Sequence, residues 1–321
     1  YPSKDAFYVG GDIYTVLASA QDTGGAIAAL DFYVPPKDVF PQHTHAHEAE
    51  AKYLVEGNVS FQFGDISLTS PPGTFVYYPP GRPMGFNATD RPARLTVLAL
   101  PGASYYELAG VPLRDEQSRR IPPPQADLEQ LQQQVDLGNV GRLNATYGGT
   151  LYFPEIAPPP PSGLLDTVLV LPSFDTIPAD QLNSLRAVEG LKVFELEDRL
   201  RFNDAFGIEH ITLVTGEESD NTIAYSQFSL PVQSGNSFFP EPVVTRNHET
   251  IFVTEGELSF QIDGQTKSAP ANTFVYIAPG QSYAMANFGD RQAKAVASTI
   301  VDSYIPKIGQ YLKVIRDLLA Q

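Results

Sequence analysis

The stretch YLVEGNVSF at positions 53–61 recurs as FVTEGELSF at positions 252–260, with Glu-Gly at the same place in both copies. Two further pairs of segments show nearly the same separation: TFVY at 74–77 and 273–276, and IAALDFYVP at 27–35 with IAYSQFSLP at 223–231. The separation stays between 196 and 199 residues. A period of about 200 residues is far longer than that of solenoid repeats, so the chain contains a duplicated domain.

Both copies carry the pattern of short β-strands. Runs rich in Val, Ile, Phe, Tyr and Thr, such as 58–63, 73–78 and 95–100, alternate with Gly, Pro, Asn and Asp. Many short strands separated by such turn residues are typical of sandwiches and barrels. We therefore expect an all-β chain of two tandem barrels, with a few helices between them and at the C-terminus.

Composition limits the possible partners. The chain has 321 residues and a formal charge of −16, from 21 basic and 37 acidic residues. A surface this acidic repels phosphate backbones and anionic membranes, so neither nucleic acid nor a membrane is an expected partner. No stretch reaches the roughly 18 apolar residues of a membrane span. We expect a small-molecule ligand, and a chain that acts as a monomer or homodimer.

Several chemistries are excluded by what the sequence lacks. There is no cysteine, which rules out disulfides, thiolate zinc sites and cysteine nucleophiles. No phosphate-binding GxxxxGK[ST] loop and no GxSxG serine elbow occur. The chain begins at Tyr1 rather than Met and has N-x-S/T sites at Asn58, Asn87 and Asn144, which favours a secreted or extracytoplasmic location.

Three of the five histidines lie within five positions, at His43, His45 and His47, and Glu50 follows them. Alternate residues of a strand share a face, so His43 and His45 point to the same side, beside Glu50 on the next strand. Two imidazoles and a carboxylate with open positions form the ligand set of non-heme iron enzymes, and other divalent transition metals also accept it. His47 has three interpretations: a ligand in another register, a hydrogen-bond partner of a ligand, or an exposed residue.

These spacings resemble those of the cupin superfamily. HTHAHEAEAKYLVEG at 43–57 is similar to the first cupin motif, H-x-H-x4-E-x6-G, and GTFVYYPPG at 73–81 is similar to the start of the second. The segment YTVLASAQDTGG at 14–25, which runs into VPP at 34–36, resembles bicupins of the quercetin 2,3-dioxygenase type. The resemblance covers both halves of the chain. It implies two cupin barrels, each a double-stranded β-helix or jelly roll.

In that family three histidines and one glutamate hold the metal, and the third histidine lies three residues after the glycine of P-x-G. Met84 stands at that place here, and a thioether is a weak ligand for a hard metal. The resemblance therefore implies a site of His43, His45 and Glu50, completed by water, substrate or His47. The expected cofactor is one divalent transition metal, and Fe, Mn, Ni, Co, Cu and Zn all accept these ligands.

The second copy keeps less of this ligand set. Glu249 retains the carboxylate, whereas Pro242, Val244 and Tyr283 occupy the other three places. His248 is adjacent to Glu249 and so points to the opposite face of a regular strand. We expect no metal in the second barrel, and a structural or ligand-lining role for it.

The resemblance implies a dioxygenase that cleaves a flavonol or a similar enol-bearing molecule. Glu50 would bind the metal and also act as the catalytic base that accepts the substrate proton. Four inward side chains would form the pocket wall, or else belong to ordinary barrel core: Phe61, Phe63, Met84 and Phe86.

Two other functions stay open. The incomplete ligand set favours a non-catalytic, secreted bicupin with a binding or structural role, because fold alone does not settle function. A cupin enzyme that acts on a sugar or dicarboxylate ranks third. Such an enzyme requires a cation inside the barrel, for which Lys52 and Arg82 are the candidates.

The repeat defines three parts of the chain: the first barrel at 1–120, a helix and proline-rich linker at 121–165, and the second barrel with a C-terminal helix at 166–321. Apolar spacing predicts the linker helix over 126–135, with Leu128, Leu131 and Val135 on one face. The same spacing predicts an amphipathic helix over 304–319 that packs on the second barrel.

Overall fold

The structure is a computed structural model of the chain. It describes residues 5–63, 66–113, 125–151, 168–171, 177–194, 199–203, 208–233 and 238–300. The described residues form two compact units, one that ends at Phe194 and one that begins at Arg199. Each unit is a jelly-roll barrel made of two β-sheets. No helix in the described ranges has the length and apolar character needed to cross a membrane.

The first unit contains fourteen strands and four helices among its described residues. The strands are β1 (Ala6–Val9), β2 (Asp12–Ala18), β3 (Ala28–Val34), β4 (Val39–His45), β5 (Ala49–Glu56), β6 (Val59–Phe63), β7 (Ile66–Ser70), β8 (Phe75–Tyr78), β9 (Met84–Ala88), β10 (Ala93–Leu100), β11 (Val111–Pro112), β12 (Gly149–Leu151), β13 (Leu169–Leu171) and β14 (Lys192–Val193). The helices are α1 (Tyr105–Ala109), α2 (Gln125–Gln132), α3 (Leu137–Thr146) and α4 (Ala179–Arg186).

The second unit is built from strands alone in the described residues. They are β15 (Arg201–Asn203), β16 (Glu209–Val214), β17 (Ile223–Leu230), β18 (Phe239–Val244), β19 (His248–Glu255), β20 (Glu257–Ile262), β21 (Gln265–Pro270), β22 (Phe274–Ile277), β23 (Ser282–Ala286) and β24 (Ala293–Ile300).

The strand orders confirm the duplication. In the first unit a nine-stranded sheet has the order β11-β1-β2-β3-β10-β5-β8-β13-β14, and it faces a five-stranded sheet ordered β12-β4-β9-β6-β7. In the second unit the orders are β15-β16-β17-β24-β19-β22 and β18-β23-β20-β21. The series β3-β10-β5-β8 thus recurs as β17-β24-β19-β22, and β4-β9-β6-β7 recurs as β18-β23-β20-β21. The predicted fold class, two tandem jelly-roll barrels, is confirmed.

The Glu-Gly pair shared by both copies marks the tight turn between β5 and β6, and between β19 and β20. Gly57 and Gly256 have φ of 74° and 72° there, the left-handed region that glycine adopts without strain. A Cβ on Gly57 would lie 2.2 Å from the carbonyl oxygen of Pro92, and one on Gly256 would lie 2.9 Å from the Cα of Ala293. Both conformation and space therefore require glycine, which explains why each copy has a glycine at this turn.

The first barrel extends further along the chain than the sequence pattern indicates. β13 pairs with β8, β14 pairs with β13, and α4 packs against β7 and β14. Val168, Leu169, Val170 and Leu171 are at most 1% exposed. The segment 168–194 therefore belongs to the first unit, although the sequence-based boundary at 165/166 places it in the second.

The linker helix is present as α2, and its Leu128 and Leu131 are buried, with Val135 packed against the same small cluster. It covers Tyr8 and Tyr33 of the first barrel. The proline run at 157–161 and the helix predicted over 304–319 lie outside the described residues.

Candidate metal centre

The structure brings His43, His45 and Glu50 together inside the first barrel. The two histidines lie on β4 and Glu50 lies on β5, and one ligand atom from each side chain falls within 4.8 Å of the others. His43 and His45 share a face because they alternate along one strand. The two-histidine, one-glutamate set predicted from the sequence is thus assembled at one point.

His43 is held with its ring already oriented. Its Nδ1 lies 3.0 Å from the carbonyl oxygen of Pro41, which fixes a proton on Nδ1 and leaves the lone pair of Nε2 available. Its ring packs edge-on against Phe40 and His45, with centroids 4.9 and 5.0 Å away. Burial, together with the charge of a protonated His45, lowers the pKa of His43 to about 3, so the imidazole is neutral. A neutral imidazole is the form that binds metal.

His45 stands between two carboxyl groups. Its Nε2 lies 3.4 Å from Oε1 of Glu50, and its Nδ1 lies 3.6 Å from Oε1 of Glu48. Burial lowers the pKa of His45 as well. His45 Nε2 and Glu50 Oε1 are buried and have no hydrogen-bond partner. A cation between these two buried atoms would satisfy both of them, so the residues fit a divalent metal.

Lys52 completes the interior. It is 2% exposed, and its ammonium forms an ion pair with Oε2 of Glu50. The ammonium also lies 5.8, 5.6 and 6.0 Å from the ring centroids of Phe32, Phe86 and Tyr78. Burial raises the pKa of Glu50, but the opposing effect of Lys52, with smaller contributions from the histidines, outweighs it and lowers the pKa to about 2. Glu50 is therefore ionised, with one oxygen paired to Lys52 and the other facing the histidines.

The four predicted pocket residues all lie in the core of the first barrel. Met84 lies opposite His43 across β9 and β4, so the two side chains share a face of the sheet. Phe86 faces Lys52 and stacks on Phe40, with centroids 5.3 Å apart. Phe61 and Phe63 are fully buried in the same cluster. Their assignment as pocket wall stays a prediction.

His47 lies apart from the cluster. It follows the end of β4, is exposed, and its ring lies against Gly148. The three-residue ligand group does not include it. The chain leaves the strand after His45, so the alternation that would have kept His47 on the interior face ends there.

Sequence reasoning missed two residues of the site. Glu48 is 4% exposed, and burial, reinforced by the charge of Glu50, raises its pKa well above the usual range. Tyr78 pairs with Glu50 across β8 and β5, and its buried hydroxyl has no hydrogen-bond partner. The only signal for Glu48 was its place three residues after His45. Tyr78 could be found only from the cross-strand register.

In the second barrel the surviving carboxylate is used differently. Glu249 accepts hydrogen bonds from Tyr283, at 2.6 Å, and from Thr245, at 2.5 Å. Tyr283 stands at the place of Met84, so a phenol donor takes the position of a metal ligand. His248 is directed to Tyr276, with its Nδ1 2.6 Å from the hydroxyl. These contacts fix Glu249 through two donors of the protein itself.

Comparison with known proteins agrees with this architecture. The cupin domain model matches twice, at residues 30–99 and 232–299. A variant of oxalate decarboxylase from Bacillus subtilis is similar in structure at 13% identity, with a TM-score of 0.55 over 94% of this chain and 76% of that one. The chain is a bicupin of the cupin superfamily.

Two further solved structures have the same fold. AerE from Microcystis aeruginosa gives a TM-score of 0.52 at 10% identity, covering 93% of this chain and 97% of that chain. The protein Ylba of E. coli gives a TM-score of 0.55 at 8% identity, covering 92% of this chain and 86% of that chain. A search of curated protein sequences finds no match. Identities this low establish the fold and leave the chemistry to the site itself.

Proposed function

We propose that the first barrel holds one divalent transition metal and that the protein is a metal-dependent dioxygenase acting on a flavonol or a similar enolic small molecule. The observation that carries this proposal is the convergence of His43, His45 and Glu50, two of whose buried ligand atoms lack hydrogen-bond partners. A bound metal of this kind would supply Lewis acidity and a route for electron transfer to dioxygen. His43 Nε2, His45 Nε2 and Glu50 Oε1 would hold it.

The aromatic lining suits a flat substrate. Phe32, Phe86 and Tyr78 surround the Lys52 ammonium at 5.6 to 6.0 Å. Rings of this kind stack on planar molecules, and they exclude water from the reacting centre. Lys52 itself favours the anionic form of an enol, because a buried ammonium attracts a developing negative charge.

The base required for this reaction is Glu50. How readily Glu50 accepts a proton depends on whether its carboxylate is paired with Lys52. A carboxylate whose pKa is about 2 accepts a proton poorly at neutral pH. When the Lys52 ammonium turns to a substrate hydroxyl, the largest influence of the protein that lowers the pKa of Glu50 is withdrawn, although a bound metal would still hold the carboxylate ionised. Glu50 then becomes a stronger base at the moment when the substrate is in place.

The test combines elemental analysis of the purified chain with oxygen-dependent turnover of quercetin. We expect about one metal per chain and turnover that chelation abolishes. Glu50→Gln should lower kcat by about 100-fold or more, the usual scale for loss of a general base. Glu255→Gln is the matched control, because Glu255 is exposed. Full turnover after chelation, or in Glu50→Gln, would eliminate the dioxygenase.

A non-catalytic bicupin is the second candidate, and Met84 favours it. The thioether fills the fourth ligand place, and Lys52 already neutralises Glu50 without a metal. In that case elemental analysis gives well under one metal per chain, and quercetin binds without being consumed.

A carboxylate-specific cupin enzyme is favoured by the same buried Lys52, the cation that such a substrate requires. Oxalate belongs in the assay for this reason, and because a solved oxalate decarboxylase shares the fold. Consumption of oxalate in place of quercetin would assign the site to this chemistry.

A further inference from the structure

The second barrel contains a cavity of about 310 Å³ that the metal-centre proposal does not use. Phe260 and Ile262 of β20 form its apolar side, and four polar residues surround them: Asp263, Gln265, Lys267 and Gln281. Tyr276 of β22 closes another side. This volume is at the small end of ligand-binding cavities, which limits an occupant to roughly the size of a single ring.

The equivalent place in the first barrel is filled by protein. The positions of Gln265 and Lys267 correspond to Ile66 and Leu68, and Leu68 is fully buried. β13 pairs there with β8, and α4 packs against β7. In the described residues of the second unit no strand pairs with the outer edge of β22. This position is thus apolar and covered by the chain in the first copy, and polar and exposed at the mouth of the cavity in the second.

Two of the four polar residues of the cavity, Asp263 and Gln281, are held in place by hydrogen bonds within the protein. Gln281 donates from Nε2 to Oδ2 of Asp263 at 3.0 Å, and it accepts from the backbone N–H of Ala278 at 2.8 Å. The other oxygen of Asp263 accepts from the N–H of Ser282 at 3.0 Å. Asp263 and Gly264 both have positive φ, at 48° and 78°, as a two-residue hairpin turn requires. The acid and the amide therefore form a fixed pair at the rim.

Cross-strand register directs the remaining groups to the same side. Lys267 pairs with Phe260 and Gln265 pairs with Ile262, and residues directly opposite each other share a face of the sheet. Lys267 and Gln265 therefore lie on the face of the sheet that carries Phe260, at the exposed edge of β21 where the cavity opens to solvent. Thr266, between them, lies on the outer face.

We propose that this cavity binds a neutral polyhydroxylated small molecule, of the size of a monosaccharide. Its lining has one acid and one cation, so it carries no net charge and gives little preference to an ion. Lys267 and the two glutamines supply donors, while Asp263 and the glutamine carbonyls supply acceptors, and a hydroxyl group uses both kinds of partner. The apolar face of a sugar ring would rest on Phe260 and Ile262.

Saturation-transfer NMR with D-glucose, D-galactose, D-mannose and myo-inositol tests the proposal on the full chain. At least one of the four should receive saturation. The variant that combines Gln265→Ile with Lys267→Leu restores the residues of the first barrel, and it should raise the Kd about tenfold or more through loss of polar partners. Thr266→Val, on the outer face of the same strand, is the matched control and should leave the Kd unchanged.

Three results would overturn the assignment: no transfer to any of the four probes, an unchanged Kd in the double variant, or binding of benzoate alone, which marks an anion site. Glu50→Gln should leave sugar binding intact, so the outcome is independent of the metal centre in the first barrel. Circular dichroism of each variant separates loss of binding from loss of fold.

Discussion

The ammonium of Lys52 and the carboxylate of Glu50 form an ion pair in the interior of the first barrel, where the two side chains are 2% and 1% exposed. Two opposite charges buried together compensate each other, and removal of one leaves the other without a partner. A bound metal would offer the same compensation to Glu50. The pair therefore links the stability of the barrel to metal binding.

The first prediction concerns Lys52→Met. Without metal, the variant should lose about 3–5 kcal/mol of stability, because Glu50 is left as an unpaired buried charge. Addition of a divalent metal should restore most of the loss. Thermal unfolding with and without metal measures both effects. Lys294→Met is the control, since its ion pair with Glu255 at 3.0 Å is exposed and such pairs contribute about 1 kcal/mol or less. Equal effects of the two substitutions would contradict the argument.

A second prediction uses Met84, which faces His43 across two strands. Met84→His supplies an imidazole at the fourth ligand place, so the affinity for Ni or Zn should increase by about tenfold or more. Calorimetric titration of the metal-free protein measures the change. An affinity no better than that of the unmodified chain would show that this position does not reach the ion.

Glu48 is expected to act by positioning His45. Glu48→Ala, which removes the group 3.6 Å from His45 Nδ1, should weaken metal binding by about 10–100-fold, the range observed for outer partners of ligating histidines. His47→Ala should leave the affinity unchanged, because His47 is exposed and outside the ligand group. The same titration checks both variants, and a larger loss for His47→Ala would reverse the assignment of roles.

The fourth prediction concerns acid stability of the second barrel. Arg199 donates to both oxygens of Glu218, each at 2.7 Å. Burial raises the pKa of Glu218, but the hydrogen bonds from Arg199 and Thr215 outweigh it and lower the pKa. Because the pKa of Glu218 is lower in the folded state than in the unfolded state, ionised Glu218 stabilises the folded barrel. This stabilisation is fully present above about pH 4.3 and is lost as pH falls through the folded pKa.

Unfolding temperatures measured from neutral to acidic pH test whether stability falls as Glu218 becomes protonated. Glu218→Gln should lower the unfolding temperature at neutral pH and flatten its decline in acid. A decline as steep as that of the unmodified chain would show that other carboxyl groups dominate the acid response.

The sequence predicts the central barrel strands well because β3–β10 recur as β17–β24, with turn residues such as Gly57 at matching places. It also predicts that His43, His45 and Glu50 lie close together, since strand alternation determines which side chains share a face. It does not predict that Tyr78 lies opposite Glu50, which depends on the register between β5 and β8. Helical spacing was sufficient for α2, because Leu128 and Leu131 meet the barrel at regular intervals.

The segment 168–194 shows the limit of a repeat-based boundary. Its strands are two or three residues long, too short for periodicity to distinguish them from loop. The segment has no counterpart in the alignment of the two copies, so the repeat gives no indication of which barrel it joins. The pairing of β13 with β8, as of Leu169 with Tyr77, and the packing of α4 against β7 assign it to the first.

That pairing has a consequence for how the protein can be divided. A fragment that stops at residue 165 would keep the whole metal centre yet expose the edge of β8 and the apolar surface that β13 and α4 now bury. Bare strand edges next to apolar surface recruit other chains, so such a fragment should self-associate. A fragment that continues to residue 194 includes β13 and α4, which bury this edge and apolar surface. It should remain monomeric at the same concentration, as light scattering would measure.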